Sequence, residues 1–434
     1  MKTRLSMLAA AVAIVSCGDG GDSKYATTGT LGIPSSAVVG ANLVFAAASV
    51  DGSPSTAPTE FGVLIDTGSP VVLIEPGLFG LPAPATADDV QTHVDLGFLK
   101  DGDTVVTIKK VPALQLSAAM MDEIGFGGIL GGNVMRDFSI QLDYAAPMMT
   151  GFCLGCTSQA RDDVDSPGTA IPFTLRGGGR GPVPLTSTVQ PTVSIPSTRV
   201  PVTVDIDGTS YPFILDTGAS EVSVRTAVFD AMTADGRSTL MGFPITTVMG
   251  DSGASVTRAR TVTVGGEEVT NVPVMTIPGD DLLDGISKEL DGSGRTQIDG
   301  LLGGSFLRNF LVTIDYPKGQ LHLQRYATQT WQDEFQRVGI GLAQTPPHST
   351  HTYAVGNIYA GTDASKKGLR VGTEIWSVDG KPLDGLDPIE ADATLDGMPG
   401  TSKTLEIANS DDAATSMTVE VLVDDLIPAP PPAP

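Results

Sequence analysis

Cysteine, basic residues and long apolar runs are scarce in this chain of 434 residues, and each scarcity narrows what the protein can be. There are three cysteines, at positions 17, 153 and 156, which argues against a disulfide-rich scaffold and a multi-cysteine zinc module. Lysine and arginine number 26 against 50 acidic residues, which argues against nucleic acid or an anionic lipid surface as a partner. The apolar segment from Leu5 to Val15 has 11 positions, too few to span a bilayer.

The N-terminus has the organisation of an export signal. Lys2 and Arg4 precede the apolar segment, and Ser16-Cys17 follow it. The run from Ile14 to Cys17 resembles a bacterial lipobox, and this resemblance implies a diacylglycerol on Cys17 and cleavage before it. The alternative is an ordinary secretory signal. We therefore predict an exported lipoprotein, anchored to a membrane by its lipid only and facing the periplasm or the cell surface.

The other two cysteines stand close together, in Gly-Phe-Cys-Leu-Gly-Cys. In an exported protein, Cys153 and Cys156 are expected to close a small disulfide loop rather than to bind zinc, because no histidine or further cysteine lies nearby in the sequence. A thioredoxin-like redox role would need a βαβ context, which the sequence does not offer. We expect neither a metal nor a cofactor.

Glycine and proline are abundant, at 51 and 31 residues, and separate many short runs rich in valine, isoleucine and threonine. This pattern, without a clear long amphipathic helix, predicts an all-β protein. The length predicts two or three domains.

An internal repeat organises the first three quarters of the chain. Asp66-Thr67-Gly68 and Asp216-Thr217-Gly218 each interrupt an apolar, strand-like run, and the two acids are 150 positions apart. Downstream, residues 127–144 and 299–316 match in order and register, each with an apolar pair, two glycines, a short helical turn and an alternating strand.

Two acids in apolar strands need partners, and a pseudo-twofold arrangement would make each the partner of the other. Two carboxyls in contact cannot both ionise cheaply, so they share one proton. One can then take a proton from water while the other polarises a carbonyl. This chemistry suits the hydrolysis of an amide.

The two Asp-Thr-Gly turns, each followed by an apolar-apolar-Gly block, resemble those of aspartic peptidases. The second copy is most similar to bacterial retropepsin-like proteins, and the whole resembles a pepsin-like bilobal monomer, an all-β double barrel. The resemblance implies that Asp66 and Asp216 are the catalytic pair and that Thr67 and Thr217 brace the two turns. It assigns supporting positions to Thr67, Gly68, Ser69, Thr217, Gly218, Ala219, Gly131 and Gly303.

The two copies differ in length, since the second has 22 extra residues between its acid and its second glycine block. The segment Gly250, Asp251, Ser252 and Gly253 is interpreted as the tip of a hairpin, and the resemblance implies a flap over bound peptide. The first copy offers only a short turn at residues 101–103 in the same role.

One residue distinguishes the two acid turns. Ser69 follows the first turn and Ala219 the second. A serine hydroxyl can donate a hydrogen bond to an ionised acid, so we expect Asp66 to be the more acidic member of the pair.

After residue 326 the sequence predicts a small β-rich unit with one short helix. Its order of elements resembles a bacterial PDZ domain, with α+β character. In that resemblance Gly339, Ile340, Gly341 and Leu342 form the loop that binds a peptide C-terminus. The alternative is a spacing or folding module.

The predicted domains are a signal peptide (1–16), a lipidated cysteine and tether (17–35), an N-terminal lobe (36–158), an inter-lobe connection (159–198), a C-terminal lobe (199–326), a PDZ-like domain (336–425) and a proline-rich tail (426–434). The leading hypothesis is a monomeric aspartic endopeptidase acting on extracytoplasmic proteins, with substrates captured by the PDZ-like unit. One alternative is a non-catalytic peptide-binding lipoprotein that uses the same cleft. Another is a degenerate first lobe, with two second lobes pairing between chains.

Overall fold

The computed structural model describes residues 7–8, 25–54, 62–84, 90–115, 127–145, 151–159, 161–182, 192–247, 250–277, 279–291, 296–328, 331–345, 349, 351–409 and 414–431. In this part of the chain strands predominate, and the all-β fold class is confirmed. The helices are short and are formed by Gly132–Met135, Thr226–Thr233, Asp281–Asp291, Gly304–Leu307, Asp363–Lys366 and Pro388–Ala393, with 3₁₀ turns at Pro76–Phe79 and Tyr316–Lys318.

Two lobes carry the two halves of the repeat. The first lobe is a ten-stranded sheet of Thr27–Gly29, Ala37–Gly40, Leu43–Ala46, Ala48–Val50, Ser53–Pro54, Val63–Ile65, Val72–Ile74, Gln91–Lys100, Asp103–Gln115 and Gly128–Leu130. The second is an eight-stranded sheet of Met7–Leu8, Pro201–Ile206, Thr209–Leu215, Val222–Val224, Leu240–Thr247, Gly250–Val264, Glu267–Thr276 and Gly300–Leu302.

A six-stranded sheet joins the lobes. Its strands are Pro34–Ser35, Ser139–Asp143, Phe152–Leu154, Val164–Pro172, Phe310–Asp315 and Gln320–Tyr326. Ser139 pairs with Asp315 and Asp143 pairs with Leu311, so equivalent strands of the two lobes lie antiparallel about the central pair Gln141 and Thr313. This pairing places the pseudo-twofold axis in the sheet, and the axis relates one lobe to the other.

Two segments outside the predicted lobes take part in the sheets. Part of the predicted tether is folded, because Thr27–Gly29 pairs with the 103–115 strand and Pro34–Ser35 pairs with the 152–154 strand. The predicted connection supplies the edge strand Val164–Pro172 of the inter-lobe sheet and the hairpin Gly179–Pro182 with Thr192–Ile195. In each case a short segment satisfies the exposed backbone groups of a strand beside it.

The C-terminal unit has its own apolar core. It consists of a five-stranded sheet, Gln336–Val338, Ile375–Val378, Lys381–Pro382, Ser402–Ala408 and Ser416–Asp425, and a two-stranded sheet, Ile340–Gln344 with Tyr353–Ile358.

This unit packs on the second lobe through a cluster that we call the flap-base cluster, formed by Leu240, Phe243, Ile245, Ala254, Val256, Met275, Phe335, Tyr359 and Ile427. The start of the predicted proline-rich tail belongs to it, since Ile427 is fully buried. The Ile427 carbonyl accepts a hydrogen bond from Arg258 Nε at 2.6 Å, and the Pro431 carbonyl accepts one from Arg260 Nε at 2.7 Å. The tail is therefore docked up to residue 431, because it satisfies two arginines of the second lobe.

No helix among the described residues is long and apolar enough to cross a membrane.

Candidate active site

Each acid stands at the end of a short buried strand. Strand Val63–Ile65 runs parallel to Gly128–Leu130, and the Asp66 N–H donates to the Leu130 carbonyl at 3.1 Å. In the second lobe Asp216 and Leu302 repeat this contact, also at 3.1 Å. The chain then turns sharply, so that the backbone N–H of Gly68 donates to Asp66 Oδ1 at 2.7 Å. The Gly218 N–H donates to Asp216 Oδ1 at 3.0 Å.

Four hydrogen bonds between the lobes hold the two turns against each other. The N–H of Thr67 donates to Thr217 Oγ1 at 3.1 Å, and the N–H of Thr217 donates to Thr67 Oγ1 at 3.0 Å. The Thr67 hydroxyl in turn donates to the Leu215 carbonyl at 2.8 Å, and the Thr217 hydroxyl donates to the Ile65 carbonyl at 2.7 Å. The structure thus places both threonines where they brace the turns, in a fully buried and symmetric lock.

Beneath this lock the two carboxyls meet. A Cβ on Gly68 would lie 2.4 Å from Asp216 Oδ1, so only glycine allows the first turn to approach the second acid so closely. Both aspartates are 0% exposed. Asp66 Oδ2 and Asp216 Oδ2 have no other hydrogen-bond partner among the described residues, so a shared proton between the carboxyls satisfies both.

The pKa values of both acids are raised. Burial raises the pKa of Asp66 well above its usual value, and the negative charge of Asp216 and a hydrogen bond between the two carboxyls raise it further. Burial also raises the pKa of Asp216, to about 6, but the hydrogen bond from Asp66 and the N–H of Gly218 lower it. The two carboxyls therefore keep one proton between them at a pH where an isolated aspartate would be ionised.

The hydrogen bond that was expected to make Asp66 the more acidic member is not formed. The Ser69 hydroxyl donates to the Val71 carbonyl at 2.8 Å and not to Asp66. The hydroxyl is turned toward the backbone of its own segment, so Ser69 reaches Asp66 only through its backbone N–H, which donates to Asp66 Oδ1 at 3.0 Å.

The predicted supporting glycines pack behind the turns. A Cβ on Gly131 would lie 2.1 Å from the Val71 carbonyl oxygen, and one on Gly303 would lie 2.1 Å from that of Glu221. The next residue in each copy donates its N–H back to the acid turn, Gly132 to Ser69 and Gly304 to Ala219, both at 2.7 Å. Close backbone approach therefore explains the glycine pairs.

A helix that the sequence analysis did not predict packs beside the second acid turn. Asp281–Asp291, which we call the insert helix, follows the strand Glu267–Thr276 and accounts for part of the extra length of the second copy. Its Leu283 and Ile286 pack in one cluster with Ala219 and Leu301. Its signal was the spacing of leucine and isoleucine along residues 282–290.

The segment predicted as a flap tip lies within a hairpin, which we call the flap hairpin. The hairpin consists of the strands Leu240–Thr247 and Gly250–Val264, in which Thr247 pairs with Gly250 and Ile245 with Ser252. The predicted tip residues Gly250, Asp251, Ser252 and Gly253 therefore begin the strand Gly250–Val264. The run of glycine and polar residues has the composition of a turn, but the pairing register makes these four residues part of a strand.

The short turn of the first lobe also has a different counterpart. The first lobe has the hairpin Gln91–Lys100 with Asp103–Gln115, and the second lobe has Gly250–Val264 with Glu267–Thr276. In each hairpin the second strand pairs in parallel with the strand that follows the acid turn, so the two hairpins correspond. The turn at residues 101–103 thus matches the turn at residues 265–266. The described part of the first lobe contains no equivalent of strand Leu240–Thr247.

In the C-terminal unit, Gly339 lies between two strands and is followed by Ile340, Gly341 and Leu342 in the strand Ile340–Gln344. All four residues are buried. The Gly339 carbonyl accepts the N–H of Tyr359 at 2.9 Å. A Cβ on Gly341 would lie 2.0 Å from Asn357 Oδ1, so this glycine serves close packing. Their predicted contact with a peptide C-terminus stays a prediction.

The cysteines fall into two groups. Cys153 and Cys156 form a disulfide, with Cα atoms 5.6 Å apart. Cys17, the predicted lipidation site, lies outside the described residues. Among the described residues there is no group of three or more His, Cys, Asp or Glu side chains placed to hold a metal ion.

Comparison with known proteins gives two findings. A family model described as "Aspartyl protease" matches residues 202–306. A solved structure, a retropepsin-like aspartic protease from Rickettsia conorii, is 21% identical, with 30% of this chain and 83% of that chain covered and a TM-score of 0.22. No curated protein matches. The family match includes Asp216, the flap hairpin and Gly303, so this part of the chain is similar to aspartyl proteases.

Proposed function

We propose that this protein is an aspartic endopeptidase that hydrolyses peptide bonds of extracytoplasmic proteins with a water molecule activated by Asp66 and Asp216. The observation that carries the proposal is the pairing of the two carboxyls at a symmetric lobe interface, where they share a proton. The family match of the second lobe supports it. Asp66 and Asp216 are given the catalytic roles.

In this proposal Asp66 is the acid and Asp216 is the base of the pair. Near neutral pH, Asp216 is ionised and takes a proton from the water, whose oxygen attacks the peptide carbonyl carbon. Asp66 holds the proton of the pair and gives it to the carbonyl oxygen, which yields a gem-diol. Asp216 then gives the proton that it took from water to the amide nitrogen, the C–N bond breaks, and Asp66 takes one hydroxyl proton of the gem-diol as the new carboxylic acid forms. The released acid and amine leave the pair with one proton, as at the start.

Substrate entry requires movement, because both acids are 0% exposed in this structure. The flap hairpin and the insert helix are the elements of the second lobe that we expect to open. The base of the flap hairpin is held by Phe335, Tyr359 and Ile427 of the C-terminal segment. Opening of the flap hairpin therefore has to disturb the packing of this cluster.

The C-terminal unit is proposed to capture substrates. The strand Ile340–Gln344 pairs on one side with Tyr353–Ile358, and an extended peptide could add to its other side with its carboxylate near Gly339.

In the same proposal the protein is exported and anchored through lipid on Cys17. It is active as a monomer, since one chain supplies both acids.

The test uses purified protein from residue 18 onward, incubated with a varied pool of peptides across pH. Wild type is compared with Asp66→Asn and Asp216→Asn, and with wild type plus a statine-type inhibitor. Cleavage by wild type alone, blocked by the inhibitor, supports the proposal. Equal cleavage by wild type and both variants would reject the mechanism.

The complete burial of the acids favours a second candidate, a peptide-binding lipoprotein without catalysis. In that case peptides bind to wild type and to both asparagine variants with the same affinity, and no peptide is cut. Calorimetric titration beside the cleavage assay separates the two functions.

A further inference from the structure

A buried guanidinium lies beside the acid pair and was given no role by the sequence. Arg199 is 0% exposed, and it precedes the strand Pro201–Ile206 of the second lobe. Its partner is Glu289 of the insert helix, 2% exposed, with Arg199 Nη2 and Glu289 Oε2 2.7 Å apart. Arg199 Nε also donates to both carboxylate oxygens, each at 3.2 Å. This fork geometry fixes the guanidinium in one orientation.

The same guanidinium reaches across to the first lobe. Arg199 Nη1 donates a hydrogen bond to the carbonyl oxygen of Gly68. The N–H of Gly68 donates to Asp66 Oδ1 at 2.7 Å, so one residue links the guanidinium to the acid. Arg199 is thus a second tie between the lobes at this turn, in addition to the threonine lock.

The pseudo-twofold axis gives Arg199 an apolar counterpart. Ile214 and Leu64 each lie two residues before an acid, and they pair with Pro201 and Phe45. Pro201 and Phe45 are therefore equivalent positions in the two lobes. Two residues earlier in each strand segment, Arg199 corresponds to Leu43. The preceding residues confirm the correspondence. A Cβ on Gly132 would lie 2.5 Å from Thr198 Cβ, and one on Gly304 would lie 2.6 Å from Asn42 Cβ.

Leu43 is fully buried. Only one of the two acid turns therefore has a guanidinium at this position. The described part of the first lobe also has no helix that corresponds to the insert helix. The fold is symmetric here, but the charge is not.

The charge of Arg199 acts on both acids. It lowers the pKa of Asp66 and of Asp216, against the larger effect of burial, which raises them. The other titratable groups that the pair influences are Tyr144 and Tyr316, whose pKa values are raised chiefly by burial and also by the nearby aspartate charge. Both tyrosines stay neutral across the pH range of interest, whereas Arg199, paired with Glu289, carries a charge that acts on the acids.

We infer that Arg199, held by Glu289, is a positioning residue for the hydrolysis: it fixes the Gly68 peptide and so orients the Asp66 carboxyl toward Asp216. The inference rests on the proposed function. It also assigns the insert helix a purpose, since that helix supplies the carboxylate that holds the guanidinium. The alternative is that the Arg199–Glu289 pair only stabilises the fold.

The test compares Arg199→Met, Arg199→Lys and the double variant Arg199→Met/Glu289→Gln with wild type on short peptides. Arg337→Met is the matched control, because Arg337 is also 0% exposed and pairs with Asp392 at 2.7 Å, in the C-terminal unit. We expect Arg199→Met to lower kcat about 10-fold to 100-fold through misorientation, with a smaller change in KM. The acidic limb of the pH–rate profile should move up by about one pH unit, because a positive charge is lost.

Arg199→Lys keeps the charge and should leave the acidic limb near its wild-type position, while kcat falls. Arg337→Met should lower the unfolding temperature without moving the acidic limb. If Arg199→Met fails to fold, the double variant, which leaves no unpaired buried carboxylate, takes its place. A lower unfolding temperature with an unchanged kcat and an unchanged limb in the Arg199 variants would overturn the inference.

A second readout does not depend on turnover. Titration of the aspartate carboxyls, followed by carbon-13 NMR in labelled protein, reports the acid pair directly. An upward shift of the pair in Arg199→Met, absent in Arg337→Met, supports the inference even if no peptide is cleaved. No shift would overturn it, whereas a wild type that cleaves nothing bears only on the proposed function.

Discussion

The backbone N–H of Thr67 donates to the hydroxyl of Thr217, and the N–H of Thr217 returns the same bond to Thr67, at 3.1 and 3.0 Å. These two residues are 150 positions apart in sequence, yet each completes the hydrogen bonding of the other. The orientation of both acid turns depends on this exchange.

Replacing one hydroxyl of this lock should therefore affect both turns. Thr217→Val keeps the shape but leaves the Thr67 N–H and the Ile65 carbonyl without a partner, which should cost about 2–4 kcal/mol of unfolding free energy. Catalytic efficiency should fall at least about tenfold, because the turns lose their alignment. Urea unfolding and peptide cleavage measure the two effects. Thr217→Ser, which keeps the hydroxyl, is the control, and equal losses in both variants would contradict the lock.

The acid pair predicts that the rate of cleavage decreases as the pH is lowered below neutral. Since the pKa of Asp216 is about 6, protonation of Asp216 below that pH removes the base. The rate should then fall about tenfold per pH unit below the limb. Ser69→Ala should leave this limb in place, because the Ser69 hydroxyl bonds to Val71. A profile of kcat/KM against pH with its maximum near pH 3 would refute the assignment.

The same pKa predicts how stability depends on pH. An acid whose pKa is raised by folding stabilises the folded state below its unfolded pKa, and this contribution is lost as the pH rises through the folded value. For Asp216 the loss occurs between 3.8 and about 6, and amounts to about 3 kcal/mol. Asp216→Asn avoids it, so the variant should gain stability relative to wild type as the pH rises through this window. Urea unfolding at pH 3.5, 5 and 7.5 tests this, and a constant difference would contradict it.

The flap-base cluster predicts a link between the C-terminal unit and the flap hairpin. Phe335 is fully buried, and its ring lies 5.3 Å from that of Phe243 on the flap hairpin. Phe335→Ala should cost about 3–5 kcal/mol of unfolding free energy. It should also raise KM for peptides, because the hairpin loses its support. Phe335→Leu, which largely fills the site, should change KM much less. Unchanged KM in both variants would show that the flap moves independently of the cluster.

Local pattern alone was sufficient for part of the site. Asp66 and Asp216 stand in apolar runs where an unpaired acid would be costly, so the repeat itself predicted that the two meet. Gly131 and Gly303 were found by matching the blocks around them. These features repeat in sequence because they repeat in space.

Other features depend on register and could not be found this way. Residues 250–253 were predicted as a turn because glycine and polar residues mark both turns and strand starts, whereas in the structure they pair with the strand Leu240–Thr247. The Ser69 hydroxyl was predicted to donate to Asp66, but it donates to the nearby Val71 carbonyl, and the sequence does not show which rotamer it adopts. Arg199 was missed because its partners, Gly68 and Glu289, are 131 and 90 positions away.

The sequence by itself determined the all-β class, the duplication and the identity of the two acids, because burial patterns and costly polar residues are properties of short segments. Only the tertiary structure decided how far burial raises the pKa values of the pair and which charge lies beside it. Those outcomes follow from distances and burial between distant segments, and the electrostatic energy of a buried group depends on just these quantities.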